Sequence, residues 1–223
     1  MAGHKFHLRV YVLCVGALRV FVYEKILILI AAHKYDLSDT DNIYGHLTNT
    51  ARAAEDVNFD EKKFVKVLDD LPKYLMAERS DVAPNQMEAD KLVENIKSDI
   101  FKITGELFKV FENEYTIFAP MKNCFEVFGL DFMVDENLQT YLLEVNPGPD
   151  FKQTGDTLKK IIEGLWDQTL EIVLDNNKDV TNLENLNTSR DYALMEKATA
   201  DFTCVYSKES STSHLKSGLT FSS

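Results

Sequence analysis

Apolar residues recur along this chain with two different periods, and the switches between them mark out its elements. Residues 6–33, FHLRVYVLCVGALRVFVYEKILILIAAH, are dense in Val, Ile, Leu, Tyr and Phe and are interrupted only at Gly16 and Ala17. Such runs separated by tight breaks predict two or three antiparallel strands. KYDLSDTDNIYGHLTNTARAAEDVN is rich in Asp, Ser, Asn and Thr and predicts a long loop, the kind of segment that carries function on a rigid scaffold. A helical period follows from Asp60 to Leu75. It is stronger from Met87 to Phe111, where Val93, Ile96, Ile100, Ile103, Leu107 and Phe111 recur every three or four residues. FEVFGLDFMV (125–134) and residues 140–146 read as two strands joined through DENLQ, a hairpin. DTLKKIIEGLWDQTLEIVLD predicts an amphipathic helix with a stripe of Leu158, Ile161, Ile162, Leu165, Leu170 and Val173. After Asp175 the chain turns polar, and SKESSTSHLKSGLTFSS has the composition of a disordered end. The pattern therefore predicts one α+β domain over residues 1–175, a mainly antiparallel sheet flanked by helices, followed by a polar, partly disordered tail over 176–223.

Composition narrows the function classes. The 223 residues carry 36 acids against 24 Lys and Arg, a formal charge of −12, which argues against direct nucleic-acid binding because that requires clustered cations. Charge is uneven, however: residues 1–34 hold Lys5, Arg9, Arg19, Lys25 and Lys34 against Glu24 alone, so a local cationic site near the start is expected. Cys14, Cys124 and Cys204 are widely spaced and odd in number, which fits reduced thiols in a cytoplasmic protein. The apolar run KILILIAAH is too short to span a bilayer, and no signal-peptide pattern precedes it, so no membrane association is expected.

The hairpin carries the candidate chemistry. In YLLEVNPGPD (141–150), Glu144 and Asn146 share one face of a strand that stops at Pro147-Gly148-Pro149. If Glu136 and Asn137 form a two-residue turn, Asp131 lies opposite Leu142 and Gly129 opposite Glu144. Asp131 and Glu144 are then diagonal neighbours roughly 7 to 8 Å apart at the backbone, with Asn146 continuing the row. Two nearby carboxylates repel unless a cation or proton intervenes, and the hairpin itself offers no Lys or Arg. A magnesium ion, with its preference for a few carboxylate oxygens supplemented by water and phosphate, fits Asp131, Glu144 and Asn146, and Gly129 would leave room for ligands. The bland alternative is a strand wetting its outer face. Val127, Met133 and Leu142 share that face, which weakens the alternative.

CFEVFGLDFMVDENLQTYLLEVNPGPD resembles the C-terminal ATP-binding segment of tubulin-tyrosine ligase and its ligase-like relatives, and KFHLRVYVLCVGALRVFVYEK with GHLTN resembles the segments before it. The resemblance covers roughly residues 5–175. It implies an ATP-grasp fold of which this chain carries the C-terminal part, the family's N-terminal lobe lying before Lys5. It further implies ATP and Mg2+ as cofactors, with Asp131, Glu144 and Asn146 as metal ligands. Lys5 and Arg9 match basic residues facing the nucleotide phosphates and the acceptor, with Arg9 also catalytic, and His46, Leu47 and Asn49 of the HLTN signature line the nucleotide site. The implied reaction phosphorylates a carboxylate with ATP and has an amine attack the acyl phosphate, joining a free amino acid to a protein or peptide acceptor such as a tubulin tail.

Two departures from the family pattern stand out. His7 replaces the Asp of K-F-D-L-R, and Leu29 stands near a family Arg. Removing a guanidinium from a phosphoryl-transfer site removes charge stabilisation that Leu cannot supply. The rival expectation is therefore a catalytically weakened ATP-grasp scaffold acting as an interaction module in an RNA–protein assembly, in keeping with a P-body-associated fungal member of the family.

Overall fold

A computed structural model describes residues 1–48, 61–116, 118–151, 155–181 and 200–208. Strands β1 (Phe6–Val15), β2 (Arg19–Tyr23) and β3 (Leu27–Ile30) form where the apolar run predicted two or three. They are followed by β4 (Val65–Val67), β5 (Phe125–Val134), β6 (Thr140–Pro147) and β7 (Phe202–Ser207). All seven join one sheet, and every pairing in it is antiparallel.

β1 is the axis of the sheet. One of its edges pairs with β5 along residues 8–15, while the other is shared, β3 taking residues 6–9 and β2 residues 12–15. β4 extends β3, β7 extends β2, and β6 extends β5. Because strand side chains alternate, β1 sorts its residues onto two faces. Leu8, Val10, Val12 and Cys14 face one core, where helix α4 (Gln86–Phe111) contributes Ala89, Val93, Ile96, Ile100 and Phe108. Tyr11, Leu13 and Val15 face the other, closed by Leu158, Ile162, Leu165 and Ile172 of helix α5 (Asp156–Thr181). The sheet thus lies between two helical layers, the α+β arrangement predicted.

Three shorter α-helices and one 3-10 turn (Leu68–Asp70) complete the described residues: α1 (Ile43–His46), α2 (Glu61–Phe64) and α3 (Leu71–Glu78). Asn85 caps α4, its side chain accepting from the Glu88 amide at 3.0 Å.

Local pattern misleads in three places. The single helix expected over 60–75 is broken, because Val65-Lys66-Val67 pair with Leu29-Ile28-Leu27 at the sheet edge and a new helix starts at Leu71-Pro72. In α5 the buried stripe runs through Leu158, Ile162, Leu165 and Ile172, whereas Leu170, placed on it from spacing, is half exposed. Within the stretch expected to be tail, residues 202–207 pair with β2, and α4 accommodates them at Gly105, where a Cβ would meet the Val205 carbonyl oxygen at 2.8 Å. No helix among the described residues is long and apolar enough to cross a membrane.

Candidate functional site

The face that α5 covers is covered only in part. Beyond Leu158, at the start of the helix, the N-terminal half of β1 and the neighbouring ends of β5 and β6 floor an open cleft of about 540 Å³. Strand registry fills this floor in rows. Leu27, Arg9, Asp131 and Glu144 stand side by side across β3, β1, β5 and β6, and Tyr11, Gly129 and Asn146 form the next row. Lys5, His46 and Leu47 also line the cleft. The structure therefore gathers Lys5, Arg9, His46, Leu47, Asp131, Glu144 and Asn146 in one place; Asn49 lies outside the described residues.

The register differs from that of a two-residue turn. Residues 135–139 form a longer loop in which the Asp135 carboxylate accepts from the amides of Asn137 and Gln139, both at 2.8 Å, and Leu138 adopts φ 62°. An irregularity between Asp131 and Phe132 then leaves Leu143 unpaired. The two shifts place Asp131 directly opposite Glu144, not diagonal to it, and Gly129 opposite Asn146.

Arg9 changes the electrostatic expectation. The hairpin holds no cation, but β1 supplies one: Nε and Nη2 of Arg9 donate to Oδ1 and Oδ2 of Asp131 at 2.5 and 3.0 Å. Asp131 is 7% exposed, so this fork is its counter-charge. Burial alone would push the Arg9 guanidinium down, but the hydrogen bonds and charge of Asp131 outweigh it and hold Arg9 above the usual range. Glu144 is exposed, and its Oε1 accepts from Asn146 Nδ2 at 2.9 Å.

His7 lies beside this pair. Its Nδ1 is 2.5 Å from Thr48 Oγ1, while its buried Nε2 has no hydrogen-bond partner and stands 3.6 Å from Asp131 Oδ1. Burial is the main cause that lowers the His7 pKa to about 4, so the ring is neutral at physiological pH. Leu29, 6% exposed, is its direct partner across β1 and β3, so the two positions expected to depart from the family pattern stand together as one neutral cross-strand pair.

Gly129 does not leave room for ligands. A Cβ there would meet Pro149 Cβ at 2.7 Å, because after Gly148, at φ 63°, the chain folds back onto the sheet. Pro147, Gly148, Pro149 and Asp150 consequently form a wall of the cleft. Phe151 stacks on Tyr11 with ring centres 5.7 Å apart and packs edge-on against Trp166 at 5.1 Å. Tyr11 was not singled out in the sequence, and Thr48 only as part of the HLTN signature. Tyr11 could have been found by continuing the period of two from His7 and Arg9; burial raises its phenol to about 12, so it enters the cleft as a neutral donor.

The donor set of Asp131, Glu144 and Asn146 consists of oxygens only, which suits a hard divalent cation. Among the described residues no group of three or more His, Cys, Asp or Glu could hold a metal by itself. Two carboxylates and an amide fit an ion whose coordination is completed by water and phosphate.

The tubulin-tyrosine ligase family model matches residues 1–182. The chain belongs to the tubulin-tyrosine ligase family. "Probable tubulin–tyrosine ligase PBY1" of Saccharomyces cerevisiae is 36% identical over 180 residues, 77% of this chain and 22% of that protein. "Probable tubulin–tyrosine ligase C12B10.04" of Schizosaccharomyces pombe is 36% identical over 173 residues, 76% of this chain and 38% of that protein. The chain thus spans well under half the length of these relatives. A crystal structure of the C-terminal domain of K. lactis Pby1, described as an ATP-grasp enzyme interacting with the mRNA decapping enzyme Dcp2, superposes with a TM-score of 0.59 at 32% identity, covering 100% of this chain and 49% of that one. The sheet between helical layers is therefore the ATP-grasp fold in its family setting.

Proposed function

We propose that this chain carries the metal- and phosphate-binding part of an ATP-dependent ligase that joins an amino acid to a protein carboxyl group. The observation that carries the reading is the row Arg9–Asp131–Glu144, continued by Asn146, on the floor of an open cleft. Asp131, Glu144 and Asn146 would hold Mg2+, which when bound neutralises charge on the transferred phosphoryl group. Lys5 and Arg9 would face the nucleotide phosphates, and His46, Leu47 and Asn49 the rest of the nucleotide. Arg9, as the catalytic cation, would stabilise charge developing on the phosphoryl oxygens and keep donor and acceptor aligned. The carboxylate to be activated and the attacking amine both come from substrates, so no Ser or Cys nucleophile is required. A cytoplasmic tubulin tail or another protein tail would be the acceptor, a reading supported by the likeness to the "probable tubulin polyglutamylase TTLL9" of Rattus norvegicus, 29% identical over 176 residues, 78% of this chain and 36% of that protein.

A second reading is favoured by a specific observation. The neutral pair His7 and Leu29 stands two residues from Arg9 where the family pattern carries charge, and K. lactis Pby1 is an ATP-grasp protein that interacts with Dcp2. A scaffold that binds nucleotide weakly and contacts an RNA-processing protein would look the same at the sheet.

Thermal unfolding with and without magnesium-ATP separates the two. A stabilised wild type that loses the gain in Asp131→Ala and Glu144→Ala supports the nucleotide site; no gain in the wild type sinks it. Binding without ATP turnover in the presence of amino acids and tubulin-tail peptides favours the scaffold.

A further inference from the structure

We propose that Arg9 keeps Asp131 closed to metal until a polyphosphate takes over the guanidinium, so that divalent cation and polyphosphate enter this cleft together. The inference rests on the reading of Asp131 as a metal ligand, but it concerns a competition that this reading does not contain.

Both carboxylate oxygens of Asp131 are occupied by one guanidinium, at 2.5 and 3.0 Å, and the carboxylate is nearly excluded from solvent. A cation cannot share these oxygens without meeting the Arg9 charge at contact distance, so Arg9 must turn away first. His7 is neutral, with Nε2 3.6 Å from Asp131 and Nδ1 held by Thr48. The other carboxylate of the row, Glu144, stands directly opposite Asp131 and favours the charged guanidinium, but it would be a ligand of the same ion, so metal binding takes up both of these counter-charges at once. The Arg9 stem passes over Gly129, where a Cβ would stand 3.4 Å from Arg9 Cδ.

An Arg9 released by metal alone would be a partly buried cation stripped of its fork, which is unfavourable. A polyphosphate in the same cleft, also lined by Lys5, removes that cost by accepting the fork. Each ligand therefore prepares the site for the other, and the coupling must be reciprocal. The same arrangement protects Asp131 from stray cations when no nucleotide is present.

The test uses the whole chain and two probes applied separately. Mn2+ alone, followed by electron paramagnetic resonance, should bind Arg9→Met about tenfold more tightly than the wild type, with a smaller gain for Arg9→Lys, which keeps the charge but not the fork. Tripolyphosphate in the presence of EDTA, followed by calorimetry, should bind Asp131→Asn about tenfold more tightly than the wild type, because Arg9 is already free. If Asp131 were only a metal ligand, the second experiment would show no change. Should one variant fail to fold, the other arm decides. Wild-type binding of manganese-ATP with Mn2+ affinity unchanged in the Arg9 variants overturns the competition alone. Absence of binding in every form overturns the nucleotide-site reading and this inference with it.

Discussion

Replacing Gly129 with alanine asks whether the Pro147–Asp150 segment is packed onto the sheet as the structure places it. Gly129 adopts no left-handed conformation, so alanine meets no backbone strain and the whole effect is crowding. The added Cβ would lie 2.7 Å from Pro149 Cβ and 3.4 Å from Arg9 Cδ, and the proline ring, closed onto its own backbone, cannot rotate away. Overpacking of this kind costs about 1 to 3 kcal/mol. For a chain of this length that corresponds to a fall in melting temperature of roughly 2 to 12 °C. Relief requires Pro149 to lift, which carries Asp150 and Phe151 with it and loosens the contact between Phe151 and Trp166, 5.1 Å apart. Trp166 is the single tryptophan, so its fluorescence reports that movement directly. Gly148→Ala is the control: at φ 63° with nothing within 4 Å, it meets strain without crowding and costs roughly 1 to 2 kcal/mol. A Gly129→Ala protein with wild-type melting temperature and unchanged Trp166 emission would refute the placement of this segment.

Three further outcomes follow from the geometry. His7 has a folded pKa of about 4, below its unfolded value near 6.5, so the unfolded chain takes up the proton first; the stability that depends on neutral His7 is full above pH 6.5 and falls by about 3 kcal/mol as pH drops to 4. Melting temperatures of the wild type and His7→Gln should therefore converge over that range, and parallel profiles would count against a buried neutral ring. Gly105→Ala should crowd the Val205 carbonyl and detach β7 at a cost of about 1 to 3 kcal/mol, so amides of residues 202–207 should exchange faster while those of β1 and β5 stay protected. His7→Asp and Leu29→Arg, each expected to destabilise alone, should together recover about 1 to 3 kcal/mol relative to additivity, because they face each other across β1 and β3; a double-mutant cycle with no coupling would contradict that pairing.

Much of the fold was legible because it is written in local periods. β1 and β5 alternate onto two faces, and α4 carries a stripe along one side, so type and approximate extent follow from sequence. β4 is three residues long, too short for a period, and is a strand because β3 offers a partner. β7 lies in a polar stretch and owes its order to β2, to Gly105 of α4 and to Glu24, which pairs with Lys97 at 2.6 Å and is bonded to Thr203.

The candidate site divides in the same way. Parity along a strand placed Glu144 with Asn146, and Asp131 with Gly129, on common faces, and no tertiary information was needed for that. The direct facing of Asp131 and Glu144 depended on the five-residue loop and the irregularity beside Leu143, features of backbone geometry with no period. The partner of Asp131 came from 122 residues away, since only the pairing of β1 with β5 brings Arg9 to it. Sequence thus determined which side chains share a surface wherever the backbone repeat is regular, because side-chain direction is its local consequence; Leu142, expected on the Glu144 face, packs against the α4 core because the irregularity beside Leu143 breaks that repeat. Tertiary structure alone decided which charges touch, because registry between distant strands is set by the loops and the packing that bring them together.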